Sequence, residues 1–580
     1  MKESDTDRRP QTGWKAVVDA LKAEGVPYVF GLPGDPRNLY DDLYRTEREG
    51  GPRAIGVRDE RSGAFMAMAY ARVSGKLAAC FGSPGPGIAY LVPGVLEAFS
   101  GCTPMLVLGA RASRKNYGMG AFQETDQLAM MRPITKWATT AETAERIPWT
   151  MRRAVQLATT GQPGPVYVEL PDDIGQPTIE MPSYVPANTD FRPAPAADAV
   201  TAAAALIAAA ERPLIITGGG SVVSGAGDAV AQLAETFGVP IQTTASGRGS
   251  VAETNPLFCG LVGLYRTTFP RRVYEAADLL ITIGARMEAF AGGFLARNPA
   301  AKYVQIEIDP FEIGRNWRPD VAIQSDARLA VQALAGALAN QKMERKDALA
   351  TEIAEGRRAA IAGARREVEA SMVDGSMPMK GEAIVSEVNR VFGENTILCK
   401  ENGSQDLWAY FWPYYQVLDT GCCVPPAEQT AMGLGVIGSM AAKLAAPKRQ
   451  VVCTCGDGAF QMACHELGTA VQNHLGVTCV VLDDAAFGWI QWHQLRRCEG
   501  RIVATTFDPP MDVVATAVAA GWEGVRVASP SELGPSLERA LEANGRRVPF
   551  VVDVPVDQSH HHTEFERFYG YEPAAGSALT

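Results

Sequence analysis

Two apolar runs between Gln450 and Gly488, each ending in acidic turn residues, constrain this chain more than any other feature. Gln450-Val451-Val452-Cys453-Thr454-Cys455 reads as a strand that runs directly into Gly456-Asp457-Gly458-Ala459-Phe460. After a helix-like run, Val477-Thr478-Cys479-Val480-Val481-Leu482 is a second strand, leading into Asp483-Asp484-Ala485-Ala486-Phe487-Gly488. Parallel strands joined by a helix place their C-terminal ends side by side, at the rim where such sheets bind ligands. Asp457 and Asp484 therefore share one rim. Magnesium takes hard oxygen ligands and usually shares its shell with phosphates. Two carboxylates, a loop carbonyl such as that of Ala486, and two diphosphate oxygens suit it. Gly456 and Gly458 let the backbone approach those phosphates. The plainer alternative is an ordinary strand-turn-helix unit with two acidic turn residues.

A chain of 580 residues is too long for one core and suggests about three domains of ordinary size. Apolar residues make up 47% of it, a globular fraction. No apolar run approaches the ~20 residues that span a bilayer, and the polar start Met1 to Pro10 has no signal-peptide core. A net charge of −11 argues against a nucleic-acid or anionic-membrane surface. Eleven scattered cysteines read as buried, reduced thiols of a cytoplasmic protein, without zinc-site spacing.

Taken in order, residues 12–185 alternate strands with helices, which implies a parallel α/β sheet. Trp14, Val17, Val18 and Leu21 mark one apolar helix face. The strand Val26 to Phe30 ends in the turn Gly31-Leu32-Pro33-Gly34-Asp35. Ala54 to Val57 is a further strand, leading to Arg58-Asp59-Glu60 and an Ala- and Met-rich helix from Arg61 to Ser74. Four prolines between Pro182 and Pro195 mark a linker. Residues 196–338 form a second α/β domain, with Gly218-Gly219-Gly220 after a strand but no full dinucleotide fingerprint. Residues 339–377, with Lys342, Glu344, Arg345 and Lys346, read as a charged surface helix and linker. A third domain spans 378–556, and the tail 557–580 is a candidate lid. Its consecutive histidines, His560, His561 and His562, rarely point the same way, so no metal site is expected there.

At these residues the chain resembles the thiamine diphosphate enzymes, whose cofactor motif is Gly-Asp-Gly, a spacer of nearly thirty residues, then usually Asn-Asn. Here Asp484 stands 27 residues after Asp457 (484 − 457), with Asp483-Asp484 in place of Asn-Asn. The resemblance covers almost the whole chain in the family's domain order. It implies three doubly wound α/β domains, pyrimidine-binding, central and diphosphate-binding, the first and third being versions of one fold. It implies Asp457, Asp484 and Ala486 as magnesium ligands, and Gly456, Gly458 and Ala459 at the diphosphate. The loop Ser404-Gln405-Asp406 stands where relatives hold the diphosphate, and Pro33 and Gly34 lie in the matching cofactor loop. Met432 stands where a large apolar side chain props the bent cofactor, a role that suits an unbranched, polarisable residue. Glu60 matches the catalytic glutamate, which favours the imino tautomer of the aminopyrimidine through a short hydrogen bond at N1′. Its usual preceding His is replaced by Asp59, and its structural alternative is a helix first-turn residue.

The stretch from Gly118 to Asp126 looks like the acetolactate synthase branch, which places Phe122 and Gln123 near the thiazolium; Phe122 suits a core equally well. Trp489 and His493 stand where those synthases carry Met and Trp in the substrate pocket, so the acceptor need not be pyruvate. The central domain of relatives holds flavin adenine dinucleotide, an ADP moiety or nothing, and here Met287-Glu288-Ala289-Phe290 departs from the flavin-binding pattern. The leading expectation is a carboligase that decarboxylates a 2-oxo acid and passes the acyl unit to a second carbonyl. A 2-hydroxyacyl- or oxalyl-coenzyme A lyase and a non-catalytic cofactor-binding relic are the alternatives. The family's arrangement implies a homodimer at minimum and commonly a tetramer.

Overall fold

In the computed structural model the described residues are 8–34, 39–189, 191–293, 298–339, 341 and 346–571. Asp35, Lys342, Glu344, Arg345, the first seven residues and the tail's end, 572–580, lie outside them. Three six-stranded sheets are present, each parallel throughout.

The first sheet takes its strands, counted within the domain, in the order second, first, third, fourth, sixth, fifth. Its leading strand is Tyr28–Gly31, flanked by Arg53–Gly56 and Ala78–Gly82. Strands Met105–Arg111 and Pro165–Pro171 are buried almost end to end, as expected of a sheet covered on both faces. A short antiparallel ribbon, Arg8–Gln11 with Ile179–Pro182, closes the domain. The apolar stripe foreseen on the first helix, Gly13–Ala23, is buried at Trp14, Val17, Val18 and Leu21, and Thr12 caps it by accepting from Lys15 N–H at 3.0 Å.

The second sheet runs third, second, first, fourth, fifth, sixth, with Pro213–Thr217 and Leu279–Ile283 at its centre. The third runs second, first, third, fourth, sixth, fifth, which is the order of the first sheet. That identity is the expected duplication of one fold. Its central strands are Thr396–Lys400, Gln450–Gly456 and Thr478–Asp483.

The chain packs as two compact units rather than as the three sequence domains taken separately. One holds residues 1–191, 426–446 and 465–473; the other holds 192–425, 447–464 and 474–580. The helix Leu434–Ala445 thus belongs with the first sheet, where it lies on the helix Glu60–Ser74 so closely that a Cβ on Gly438 would meet Ala69 Cβ at 3.1 Å. The expectation of uniformly buried thiols needs correcting. Cys498 is exposed and Cys102 and Cys464 are half-buried; the other eight are buried, and none is in a disulfide. Cys498 sits just past the short helix Gly488–Arg497.

Candidate active site

In both duplicated sheets the first and third strands are neighbours whose crossovers leave in opposite directions, so a crevice opens at their C-terminal ends. In the first sheet this is where Gly31 runs into Leu32-Pro33-Gly34, and Gly82 into the loop 83–85 and the start of the helix Pro86–Ser100. The two loops touch: a Cβ on Gly34 would lie 2.3 Å from Ser83 Oγ. Glu60 is the first residue of its helix, and Asp59 caps that helix by accepting from Arg61 N–H at 2.8 Å. The side chain points into the crevice, since a Cβ on Gly87 would come within 2.9 Å of Glu60 Oε1. Burial raises its carboxyl above the usual carboxylate range, and the Asp59 charge adds to this. Pro33 and Gly34 are exposed on the neighbouring loop.

Phe122 is not core: it is 86% exposed in the single chain. Gln123 is half-buried with φ +57°, and its carbonyl would stand 2.8 Å from a Cβ on Gly85. Beneath it lies a residue that sequence reasoning passed over. Gln127 is buried, accepts from Gly85 N–H at 2.9 Å and donates to Ala110 O, Tyr167 Oη and Glu169 Oε2 at 3.1, 2.9 and 2.9 Å. It ties the loop 83–85 to the sheet. Met432 is also in this unit, 37% exposed, just ahead of Gly433, whose φ of +95° turns the chain into the helix Leu434–Ala445.

In the third sheet Asp457 opens the helix Asp457–Ala463 straight after the strand Gln450–Gly456. Gly456 faces open space, while a Cβ on Gly458 would strike Phe487 Cδ1 at 2.9 Å, and Ala459 is buried behind them. Asp457 and Asp484 lie within hydrogen-bond reach of each other. Burial pushes both carboxyls well above the ordinary range, and for Asp457 the Asp484 and Asp483 charges push further. Asp457 Oδ1 and Ser404 Oγ are buried with no hydrogen-bond partner among the described residues. Gly488 is obligatory here: a Cβ would fall 2.1 Å from Asp484 Oδ2 and 2.8 Å from Ser404 Oγ. Ala486 is buried and bridges to Thr506, fixing the loop that carries its carbonyl. No group of three or more His, Cys, Asp or Glu side chains among the described residues is arranged to hold a metal unaided. The aspartate pair and orphaned hydroxyl therefore suit a cation that brings phosphate oxygens with it.

Two of the expected diphosphate residues are engaged elsewhere. The Asp406 carboxylate lies 2.6 Å from Lys400 Nζ, both fully buried, so any contact with a diphosphate falls to its backbone. Gln405 Nε2 donates to the carbonyls of Gln558 and His560 at 3.3 and 3.5 Å, holding the tail. Trp489 Nε1–H donates to His493 Nε2 at 3.0 Å, and the other ring nitrogen of His493 is buried without a partner among the described residues. Burial, then Arg497, lowers the His493 pKa. The tail helix Thr563–Phe568 covers this stretch: Phe565 packs edge-on to Trp489, and Tyr569 lies across His493 at 5.0 Å. The Asp483 carboxylate, next to Asp484 in sequence, is held by an arginine. Its Oδ2 is bound by Arg526 Nη1 at 2.7 Å, and Arg526 also grips Asp553. A lone acid in the apolar strand Phe550–Pro555 was the one sequence cue to that pairing.

Family models match three successive stretches. Residues 11–130 match the thiamine pyrophosphate enzyme N-terminal TPP binding domain, 200–334 the central domain, and 401–554 the C-terminal TPP binding domain. The probable acetolactate synthase large subunit of Methanocaldococcus jannaschii is 32% identical over 562 residues, covering 94% of this chain and 92% of that protein. The chain belongs to the thiamine pyrophosphate enzyme family. The acetolactate synthase large subunit of Parasynechococcus marenigrum is 33% identical, covering 94% of this chain and 88% of its own. That of Haemophilus influenzae is 29% identical, covering 95% of each. This thiamine pyrophosphate enzyme is thus acetolactate synthase-like, dependent on thiamine diphosphate and acting on carbon–carbon bonds. No helix among its described residues is long and apolar enough to cross a membrane.

Proposed function

We propose that this enzyme is a magnesium-dependent carboligase that decarboxylates a 2-oxo acid and joins the acyl unit to a second carbonyl. The observation that carries this reading is the buried Asp457 Oδ1, without a hydrogen-bond partner among the described residues, beside Asp484 on one rim, with Glu60 turned into the matching crevice of the duplicated sheet. Asp457, Asp484 and the Ala486 carbonyl would hold magnesium, with Ser404 Oγ and the Gly456 to Ala459 backbone facing the diphosphate. Thiamine diphosphate, when bound, supplies a nucleophilic carbon and an electron sink. Glu60 would share a proton with the pyrimidine ring nitrogen, and burial, which raises its carboxyl, favours that acid–base role. Pro33, Gly34, Phe122, Gln123 and Met432 bound the pyrimidine and thiazolium ends, and Gln127 holds that loop in register. Trp489 and His493, braced by the tail helix, form the wall that chooses the acceptor.

The family's arrangement supports a homodimer or homotetramer as the active form. The strand order of the central sheet suits a nucleotide such as flavin adenine dinucleotide or ADP, but its glycines are spent on packing: a Cβ on Gly218 would meet Gly284 O at 2.1 Å.

The test is the purified protein with thiamine diphosphate, magnesium and pyruvate, followed for carbon dioxide and for the 2-hydroxy-3-oxo acid product. Turnover with neither product, across a panel of 2-oxo acids, overturns the reading. His493→Trp should shift the ratio of kcat/KM towards pyruvate at unchanged cofactor affinity, because an apolar wall replaces a polar one. An unchanged ratio puts His493 outside the acceptor pocket.

A further inference from the structure

The third sheet's rim carries a second cluster of charge beside the aspartate pair. Asp483 closes the strand Thr478–Asp483, Asp553 lies in the neighbouring strand Phe550–Pro555, and Arg526 closes the edge strand Glu523–Arg526. Register sets them on one face: Arg526 stands opposite Asp553, and Asp553 opposite Val481, two residues before Asp483. Asp483 is 8% exposed and Asp553 1%, so two nearly buried carboxylates need a cation between them. Arg526 Nη1 supplies it, at 2.7 Å from Asp483 Oδ2 and in contact with Asp553 Oδ2.

The other oxygen of Asp483 faces the metal loop. Asp483 Oδ1 accepts from Ala485 N–H at 3.1 Å, and Ala485 has φ +52°, a left-handed conformation that costs an alanine energy unless its surroundings hold it. Ala485 lies between Asp484 and Ala486, and its carbonyl accepts from Phe507 N–H at 2.8 Å. A single carboxylate thus links a guanidinium on the edge strand to the turn that aims both proposed ligands.

We propose that Arg526 is a positioning residue for the metal–diphosphate loop, acting through Asp483, and that Asp483 with Arg526 forms a charge-compensated substitute for the neutral residue this motif usually carries. The proposal rests on the reading of Asp457 and Asp484 as magnesium ligands. Without Arg526, Asp483 would be an unpaired anion that repels a diphosphate and loses its fixed hold on Ala485. Making Asp483 neutral removes the anion at the metal loop, so that loop no longer needs the arginine; Asp553 still does, and the melting measurement reads that separate cost.

The experiment compares full-length wild type, Arg526→Gln, Asp483→Asn and the double variant by titrating thiamine diphosphate at saturating magnesium, followed by tryptophan fluorescence. Melting of each cofactor-free protein is measured in parallel. Loss of a group that orients a ligand typically costs about 10–100-fold in affinity, and that is the weakening expected of Arg526→Gln. The double variant should return to within about threefold of Asp483→Asn, a non-additivity that an arginine serving only to hold the fold would not show. A double variant as weak as Arg526→Gln, or Arg526→Gln binding like wild type, overturns the proposal. If Arg526→Gln fails to fold, Arg526→Lys keeps the charge and should retain binding to within about tenfold; a larger loss overturns the charge argument. Asp457→Ala is run alongside. Wild-type binding in that variant removes the ligand reading and this proposal together, whereas a weakened Asp457→Ala with an unaffected Arg526→Gln overturns the proposal alone.

Discussion

The first and third sheets share one strand order, and their rims carry different chemistry. In the first sheet the crevice is edged by small or apolar residues, Pro33, Gly34, Ser83 and Gly87, with one carboxyl, Glu60, turned inward. In the third it is edged by Asp457, Asp484 and the Asp483–Arg526–Asp553 cluster, with Lys400 and Asp406 sealed beneath. The backbone plan places a crevice in both; the loop residues decide whether it suits a flat heterocycle with one proton to share or a cation with its phosphates. Burial acts on both in the same direction, raising the carboxyls, with different consequences. A single raised carboxyl such as Glu60 is a proton donor and acceptor. A raised pair such as Asp457 and Asp484 is a site awaiting positive charge.

The largest effect should separate chemistry from binding. Glu60→Gln keeps the fold and the cofactor, while turnover falls about 10²–10⁴-fold, the usual scale of acid–base catalysis. Steady-state kinetics with a parallel cofactor titration check it, and wild-type turnover would remove Glu60 from the mechanism. Asp457→Ala is the mirror case: cofactor affinity should drop on the order of 100-fold as a metal ligand goes and Asp484 faces the phosphates alone. Equal loss of turnover and no loss of affinity would erase the distinction between the two rims.

The glycines sharpen the contrast further. Gly87→Ala places a methyl 2.9 Å from Glu60 Oε1, whereas Gly456→Ala places one in open space. Gly87→Ala should therefore lower kcat by about tenfold by displacing the acid group, in line with the cost of misplacing a catalytic group. The apo melting temperature of Gly456→Ala should match wild type. Calorimetry and kinetics on both variants test this, and a reversed order would mean that Glu60 does not face Gly87 in the working enzyme.

The smallest effect concerns the aspartate pair. Asp484→Asn relieves repulsion in the metal-free state while leaving an oxygen ligand, so the apo protein should melt slightly higher, by about 1 kcal/mol of stability at most. Cofactor affinity at saturating magnesium should stay near that of wild type. A large loss would show that the carboxylate charge itself, and not only its oxygen, is needed.

Much of this molecule could be read in one dimension because the relevant signals are local. An apolar strand that breaks at Gly456-Asp457-Gly458, and another that breaks at Asp483-Asp484, place their acids at strand ends through backbone geometry alone. Glu60 behind a strand and at a helix start is local in the same way. The resemblance of the flanking motifs then carried the family assignment across nearly the whole chain. What the sequence could not say is which polar groups would find each other across many residues. Asp406 sits six positions from Lys400 in a loop expected at the diphosphate, but both are buried, and burial forces charges to pair. Asp483 and Arg526 are 43 residues apart and meet because parallel strands bring their ends together. Gln127, at the start of a helix, holds its loop only because Tyr167 and Glu169 reach it from a strand some forty residues on. Likewise, the helix Leu434–Ala445, which lies in the third domain's stretch of sequence just ahead of Gly456-Asp457-Gly458, packs with the first sheet, where its glycine allows close approach to Ala69. Spacing along the chain determined where the acids stand; desolvation in the folded protein decided which of them remain available for a ligand.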